Sequence, residues 1–327
     1  MKPRDTLALA WLLPLLSLAL LILPPIPAAQ AAPVAGGISI TITPTEMQPA
    51  DAGFVSVSGA YPLRISVTLD GAPLEVFRGS DAYWALFVFG FDEPPGEHQI
   101  QVEVVNPATR EVVKKDAVIT VLEHEFPRES VALPWSLTPL LDPAINEQEN
   151  AWLDSIYAVH TYAAGWDWPF GHPAINPVIT SRFGNDRSYN GGMWAQYHTG
   201  VDYRVAIGEP VLAVADGWVV AAEMRDVRGN VLLIDHGHGV FTQYAHLSEF
   251  FVSKGAFVRG GQLVALAGAT GRTSGPHLHL EVIVHGQPVD PIRWMALAPG
   301  FVPPREVRAT PQAAGDDPPA EAIAGDG

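Results

Sequence analysis

The segment Gly275-Pro276-His277-Leu278-His279-Leu280-Glu281 lies near the end of a long run that reads as β-strand, and the rest of the chain is organised around it. In an extended strand, side chains two apart share a face, so His277 and His279 point together while Leu278 and Leu280 face the other way. Two imidazoles are therefore predicted to converge on one side of a sheet. Taken alone, the pattern also suits a half-buried strand with a polar face, and the upstream residues weigh between the two.

Outward from this segment, strand-like runs alternate with turn residues. Val211-Leu212-Ala213, Gly217 to Ala222, Val231 to Asp235, Phe241 to Leu247, Gln262 to Ala267 and His277 to Val284 read as strands of one antiparallel unit, placed at residues 177–296. A second set fills residues 36–124, with Asp70-Gly71 and Pro94-Pro95-Gly96 as turns between neighbouring runs. From His98 to Val105, Ile100, Val102 and Val104 alternate with Gln99, Gln101 and Glu103, a strand with one buried and one wet face. About seven such strands predict an immunoglobulin-like β-sandwich without its disulfide.

Between the two units, residues 125–176 form a Pro-rich linker with one helix, expected from Asn146 to about Tyr162. Asn146 followed by Glu149 fits a capping box, and Trp152, Ile156 and Val159 make an apolar stripe at helical spacing. Such a helix either connects and packs on a domain or covers an active site. His160 and His172 lie in this region without spaced partners. Residues 304–327 carry almost no large apolar groups and are expected to be disordered.

Composition narrows the function. The 327 residues are 48% hydrophobic and 17% charged, with 30 glycines and 30 prolines, which indicates a globular, β-rich chain of more than one domain. Nineteen basic against 35 acidic residues give a formal charge of −16, which argues against electrostatically driven binding to nucleic acid or to an anionic membrane surface. Cysteine is absent, so disulfides, thiolate catalysis, Cys-type zinc sites and a lipid-modified N-terminal cysteine are excluded. Lys2 and Arg4, the apolar run from Leu7 to Leu23, and Ala29-Gln30-Ala31 follow the order of an export signal, with cleavage expected after Ala31. The apolar run is also just long enough to serve as an uncleaved membrane anchor over residues 7–23. Either way the chain is expected to be exported, to the cell envelope or beyond.

Upstream of the two histidines lies His198-Thr199-Gly200-Val201-Asp202. Positions four apart on a strand share a face, so His198 and Asp202 can reach one point, with Gly200 between them leaving room for an ion or substrate. With one histidine of the His277/His279 pair they make two nitrogens and one carboxylate, the open three-ligand set of catalytic zinc sites. Soft thiolate ligands are absent, which favours zinc over copper(I) or iron–sulfur. His246, in Tyr244-Ala245-His246-Leu247, adds another imidazole at a strand end. If all converge, three groups can hold metal and two can act beside it, the arrangement of metal-assisted amide hydrolysis.

In order and spacing, His198-x-Gly200-x-Asp202, Tyr244-Ala245-His246-Leu247 and Gly275-Pro276-His277-Leu278-His279 resemble the lysostaphin-type (LytM-type) zinc metallopeptidases that cut peptide cross-links in peptidoglycan. Ser181-Arg182-Phe183-Gly184, Asp216-Gly217, Gly229-Asn230, His236-Gly237-His238-Gly239, Gly260-Gly261-Gln262 and Val289-Asp290-Pro291 support the match, which covers about residues 177–294. The resemblance implies a barrel-like, duplicated hybrid motif fold. It implies His198, Asp202 and His279 as Zn2+ ligands and His246 and His277 as the catalytic pair. It also implies a zinc metalloendopeptidase acting on peptidoglycan stem peptides or cross-bridges; in the family, loops such as residues 185–197 wall the substrate groove, so Tyr189, Trp194 and Tyr197 either contact substrate or serve as aromatic packing. His236, His238 and His285 are expected to be structural. The alternative is a latent or non-catalytic cell-wall module that activates a partner hydrolase.

Overall fold

Short runs of β-branched and aromatic residues, cut by turns, give a mainly β chain in the computed structural model, which describes residues 37–59, 62–162, 170–194, 196–298 and 302–306. In chain order the first strands are β1 (Ser39–Thr43), β2 (Ala52–Ser58), β3 (Arg64–Leu69), β4 (Phe77–Arg78), β5 (Tyr83–Val88), β6 (Gly96–Val105) and β7 (Val112–Val121). They form two sheets, β1-β2-β5-β4 and one built on β7-β6-β3. Alternation decides what each strand buries: Val55, Val57, Ala85 and Phe87 from one sheet meet Val67, Ile100, Val102, Val104 and Ile119 from the other in a shared core.

Next come β8 (Arg128–Val131), a 3-10 turn at Trp135–Leu141, and helix α1 (Pro143–Tyr157). The helix starts earlier than the sequence pattern suggests because Asp142 is its cap, accepting from the Ala144 N–H, and Pro143 sits at the first helical position. Glu149, the expected capping-box partner of Asn146, is instead buried and accepts from the Val227 N–H and from Arg228.

The remainder holds β9 (Val178–Ser181), β10 (Asp186–Tyr189), β11 (Gln196–Tyr197), β12 (Val201–Tyr203), β13 (Gly217–Arg225), β14 (Gly229–Gly237), β15 (Val240–Phe250), β16 (Leu263–Ala267) and β17 (Leu278–Val284), then a short helix α2 (Pro291–Ala296). The large sheet runs β13-β14-β15-β17-β12-β9, and the barrel-like closure expected from sequence is not found among the described residues. The pairing of β15 shows why the sheet branches rather than closes. Its first half, Val240 to Ala245, pairs with β17, whereas Leu247 to Phe250 pair with β16, so one strand feeds two neighbours on the same edge. At the far edge, Arg305 and Glu306, placed by the sequence in a disordered tail, pair in parallel with Val178 and Ile179, held by backbone bonds rather than by apolar burial.

The first two sheets and the large sheet belong to one compact unit. Ala50, Ala52, Phe54, Phe77 and Leu86 join the same core cluster as Tyr203, Tyr244, Leu280 and Trp294. Phe77 stacks on His238 with ring centroids 3.7 Å apart, and the Arg293 Nε–H donates to buried Asp51 Oδ1 at 2.7 Å. The expected signal or anchor at residues 1–31 lies outside the described residues, and among the described residues no helix is long and apolar enough to cross a membrane.

Candidate active site

Three adjacent strands bring the predicted residues into one row. Asp202 on β12 is the register partner of His279 on β17, and His279 is in turn the partner of Ala245 on β15. His246 follows Ala245 at a bulge: Asn230 pairs with Leu247 and Leu232 with Tyr244, so two residues on β15 face one on β14. His246 has φ of 62°, which turns its side chain away from ordinary strand alternation and toward the row. His198 precedes β12 and is held by backbone bonds on both sides, its N–H donating to Asn185 O and its carbonyl accepting from Gly184.

The donor atoms of His198, Asp202 and His279 lie within 4.8 Å of one another, and all three residues are buried. His198 Nε2 is 3.0 Å from Asp202 Oδ1 and 3.0 Å from His279 Nδ1, and His279 Nδ1 is 2.8 Å from Asp202 Oδ1. The far side of each ring assigns its tautomer. His198 Nδ1–H donates to the Arg182 carbonyl at 2.7 Å, and His279 Nε2–H donates to Glu281 Oε1 at 2.9 Å. Two imidazole nitrogens and a carboxylate oxygen are thus aimed at one point, an arrangement that needs a proton or a metal ion between them. The outward hydrogen bonds are the partners that orient metal-binding imidazoles, so the residues present fit a metal ion of the kind held by nitrogen and oxygen donors.

Electrostatics agrees. Burial, together with the Arg187 charge, lowers the His198 pKa to about 4, which keeps its lone pair free at neutral pH. Burial opposes charge on His279 as well, but hydrogen bonds and attraction from Asp202 and Glu281 outweigh it and raise that pKa to about 9. In the metal-free protein a proton on His279 therefore offsets the surrounding negative charge. Asp202 is also buried, yet His198 and Arg187 hold its carboxyl well below the usual carboxylate range.

His246 and His277 stand beside this cluster with ring centroids 4.6 Å apart. Each donates its Nδ1–H to a backbone carbonyl, His246 to Thr270 O at 2.8 Å and His277 to Gly275 O at 2.9 Å, so each presents an Nε2 lone pair. His277 Nε2 lies 3.6 Å from Asp202 Oδ1. Burial and the neighbouring His277 and His279 push the His246 pKa well down, which leaves it neutral.

The space expected at Gly200 is not open to a ligand: a Cβ there would meet Leu280 O at 2.3 Å and His279 Cε1 at 2.8 Å, so the glycine instead admits the His279 ring. Tyr197 is 44% exposed and stacks on Phe91, 4.8 Å between centroids, while Tyr189 lies under the Arg272 guanidinium. His236 is structural, bonded to Asp216 O and Thr242 Oγ1. Three further residues, Glu281, Arg187 and Glu129, support the cluster. Glu281 was legible, two residues from His279 on the same face. Arg187 and Glu129 carried no spacing signal: the Arg187 Nη2–H donates to Asp202 Oδ2 at 2.6 Å and its Nε–H to Glu129 Oε2 at 2.8 Å.

Comparison with known proteins agrees with this geometry. Residues 196–291 match the model of peptidase family M23. Over 115 residues, 35% of this chain and 27% of the relative, the sequence is 43% identical to the peptidoglycan DD-endopeptidase ShyB of Vibrio cholerae. It is 42% identical over 120 residues, 37% of this chain and 27% of the relative, to the DD-carboxypeptidase/endopeptidase Mpg of Neisseria meningitidis. The chain thus spans about a quarter of the length of these curated relatives. A crystal structure described as a peptidase M23 from Pseudomonas aeruginosa shares the fold, with a TM-score of 0.55 at 24% identity, over 76% of this chain and 95% of that one. Sequence match and convergent donors thus coincide in residues 196–291, the part of this chain that matches peptidase family M23.

Proposed function

We propose that this chain is an exported zinc metalloendopeptidase that hydrolyses peptide bonds in peptidoglycan stem peptides or cross-bridges. In this reading His198, Asp202 and His279 hold the metal, and His246 and His277 act beside it. The observation that carries the proposal is the meeting of two lone-pair nitrogens and one carboxylate oxygen within 3.0 Å, each ring locked by an outward hydrogen bond. Zinc suits a set of two imidazoles and a carboxylate, and when bound it supplies a Lewis acid and activates water at neutral pH. His246, neutral and with Nε2 free, is placed to accept a proton there. His277, with its Nδ1–H fixed on Gly275 O, presents its Nε2 lone pair to the same space, where it can accept from the amide N–H or take and pass on a proton. The substrate class is supported by the names of the two relatives, a peptidoglycan DD-endopeptidase and a DD-carboxypeptidase/endopeptidase.

The proposal includes an organisation. An immunoglobulin-like sandwich at residues 36–124 positions or binds, and a leading signal or anchor places the chain in the cell envelope. The sandwich reading is supported by the core shared between the first two sheets.

A second reading, a latent module, is favoured by the position of α1. Glu281, Gln243, Leu233 and Ala221 are successive cross-strand partners and therefore share the face that carries His279. Leu153 of α1 packs on Ala221, Val231 and Leu233 of that face. The helix thus borders the site along the sheet. Incubating the zinc-loaded chain with purified peptidoglycan and analysing muropeptides by mass spectrometry tests both readings. Products cut within the peptides, lost on chelation, are expected; intact muropeptides with bound zinc would favour the latent module.

A further inference from the structure

We propose that Glu129, well upstream of the stretch matched to the family, is a positioning residue of the metal centre. The inference rests on the metal-site reading above and extends it to a strand that sequence motifs assign to the linker. Strand β8 pairs in parallel with β10, and Glu129 is the register partner of Arg187. Arg187 lies between two carboxylates, its Nε–H donating to Glu129 Oε2 at 2.8 Å and its Nη2–H to Asp202 Oδ2 at 2.6 Å. Ser181 closes the network, donating its Oγ–H to Glu129 Oε2 at 2.7 Å and accepting from Arg187 Nη2 at 2.9 Å. The Arg187 side chain is 13% exposed and that of Asp202 9%, so water screens these charges little.

This arrangement has two consequences for Asp202. Arg187 occupies Oδ2, which leaves Oδ1 as the oxygen aimed at His198 and His279. It also sets a full positive charge against the carboxylate that is to hold a cation. Glu129 offsets that charge: one guanidinium between two carboxylates carries a net negative charge, whereas one guanidinium on Asp202 alone is neutral. Glu129 therefore preserves the donor strength of Asp202 while Arg187 fixes its orientation. Outer partners of metal ligands commonly contribute about tenfold to hundredfold in metal affinity, and Glu129 is assigned that share. The functional metal centre then includes β8 and β10, and a domain cut at residue 177 would lack one of its charges.

The test compares the full chain with Glu129→Gln, Glu129→Asp and the double variant Glu129→Gln/Arg187→Gln. Zinc affinity is measured by competition with a chromophoric chelator, and thermal unfolding of the metal-free forms is recorded alongside. Glu129→Gln, which keeps shape and loses charge, should bind zinc roughly tenfold to hundredfold more weakly. Glu129→Asp should bind more tightly than Glu129→Gln, and removing Arg187 as well should recover affinity, because the uncompensated cation is gone. A Glu129→Gln protein within twofold of the parent overturns the proposal. So does a double variant no tighter than Glu129→Gln, since a packing role would make the losses accumulate. Muropeptide cleavage by the parent is read separately: the predicted affinity ratios without cleavage overturn the hydrolase reading and support the role of Glu129.

Discussion

Replacing His279 and replacing His277 with alanine should have unlike consequences, although the two residues share one face of one chain segment. His279 Nδ1 is one of three converging donors, 2.8 Å from Asp202 Oδ1, and its Nε2–H is the partner of Glu281, which is 4% exposed. Deleting the ring removes a proposed metal ligand and leaves Glu281, a buried carboxylate, with only the Thr199 hydroxyl, at 2.7 Å, from its previous side-chain partners. Breaking a buried charged pair from one side costs about 3–5 kcal/mol. His277 loses hydrogen bonds to Gly275 O and Thr273 Oγ1 at a partly exposed position, worth about 1 kcal/mol. At roughly 2–4 °C per kcal/mol for a protein of this size, metal-free His279→Ala should melt on the order of 10 °C below the parent, and His277→Ala only a few degrees below. After gel filtration, His279→Ala should carry little zinc. His277→Ala should retain it and lose about 10²–10⁴ in turnover, the usual share of a proton-transferring group. Elemental analysis, calorimetry and muropeptide turnover on the same samples provide the three readings. Equal zinc loss in both variants would refute the assignment, because it would make His277 a ligand.

Other perturbations probe the supports of the site. His236 is buried and neutral, with burial lowering its pKa from 6.5 to about 4. The unfolded chain therefore binds the extra proton first, so this contribution is whole above pH 6.5 and fades as pH falls toward 4, by about 3 kcal/mol in total. In urea unfolding of the metal-free protein, His236→Gln should flatten the loss of stability across that window; an unchanged slope would count against it. At Gly229, φ is 64° and a Cβ would lie 2.3 Å from Thr270 O, the acceptor of the His246 ring. Gly229→Ala should thus lower turnover at least tenfold with zinc retained, by elemental analysis. Leu153→Ala, in a 4% exposed position of α1, should cost about 2–5 kcal/mol without raising peptidoglycan cleavage, whereas a tenfold rise would support latency.

Much of the site was legible because the chemistry requires particular side chains at strand spacing. Asp202 and His279 do face each other across neighbouring strands, and the free nitrogen of His246 comes from a bulge at the residue singled out. The helix was legible in existence but not in its start, since Asp142 outcompetes Asn146 as the cap. The role of Gly200 was not legible, because the spacing of the motif says nothing of the Leu280 carbonyl and His279 ring packed against it. The barrel-like expectation failed at β15, whose two halves serve two different neighbours.

By itself, the sequence determined the mainly β character through alternation, excluded thiolate chemistry by lacking cysteine, and supplied the histidines and aspartate that a metal site needs. Tertiary structure alone decided what stands behind them. Arg182 O and Thr270 O assign two tautomers through backbone atoms that every residue possesses, so no side-chain pattern could announce them. Glu129 reaches Arg187, and through it Asp202, only because two strands pair in parallel across 58 positions of chain. Spacing along a strand reveals which side chains share its face; which strand lies alongside depends on how the whole core packs.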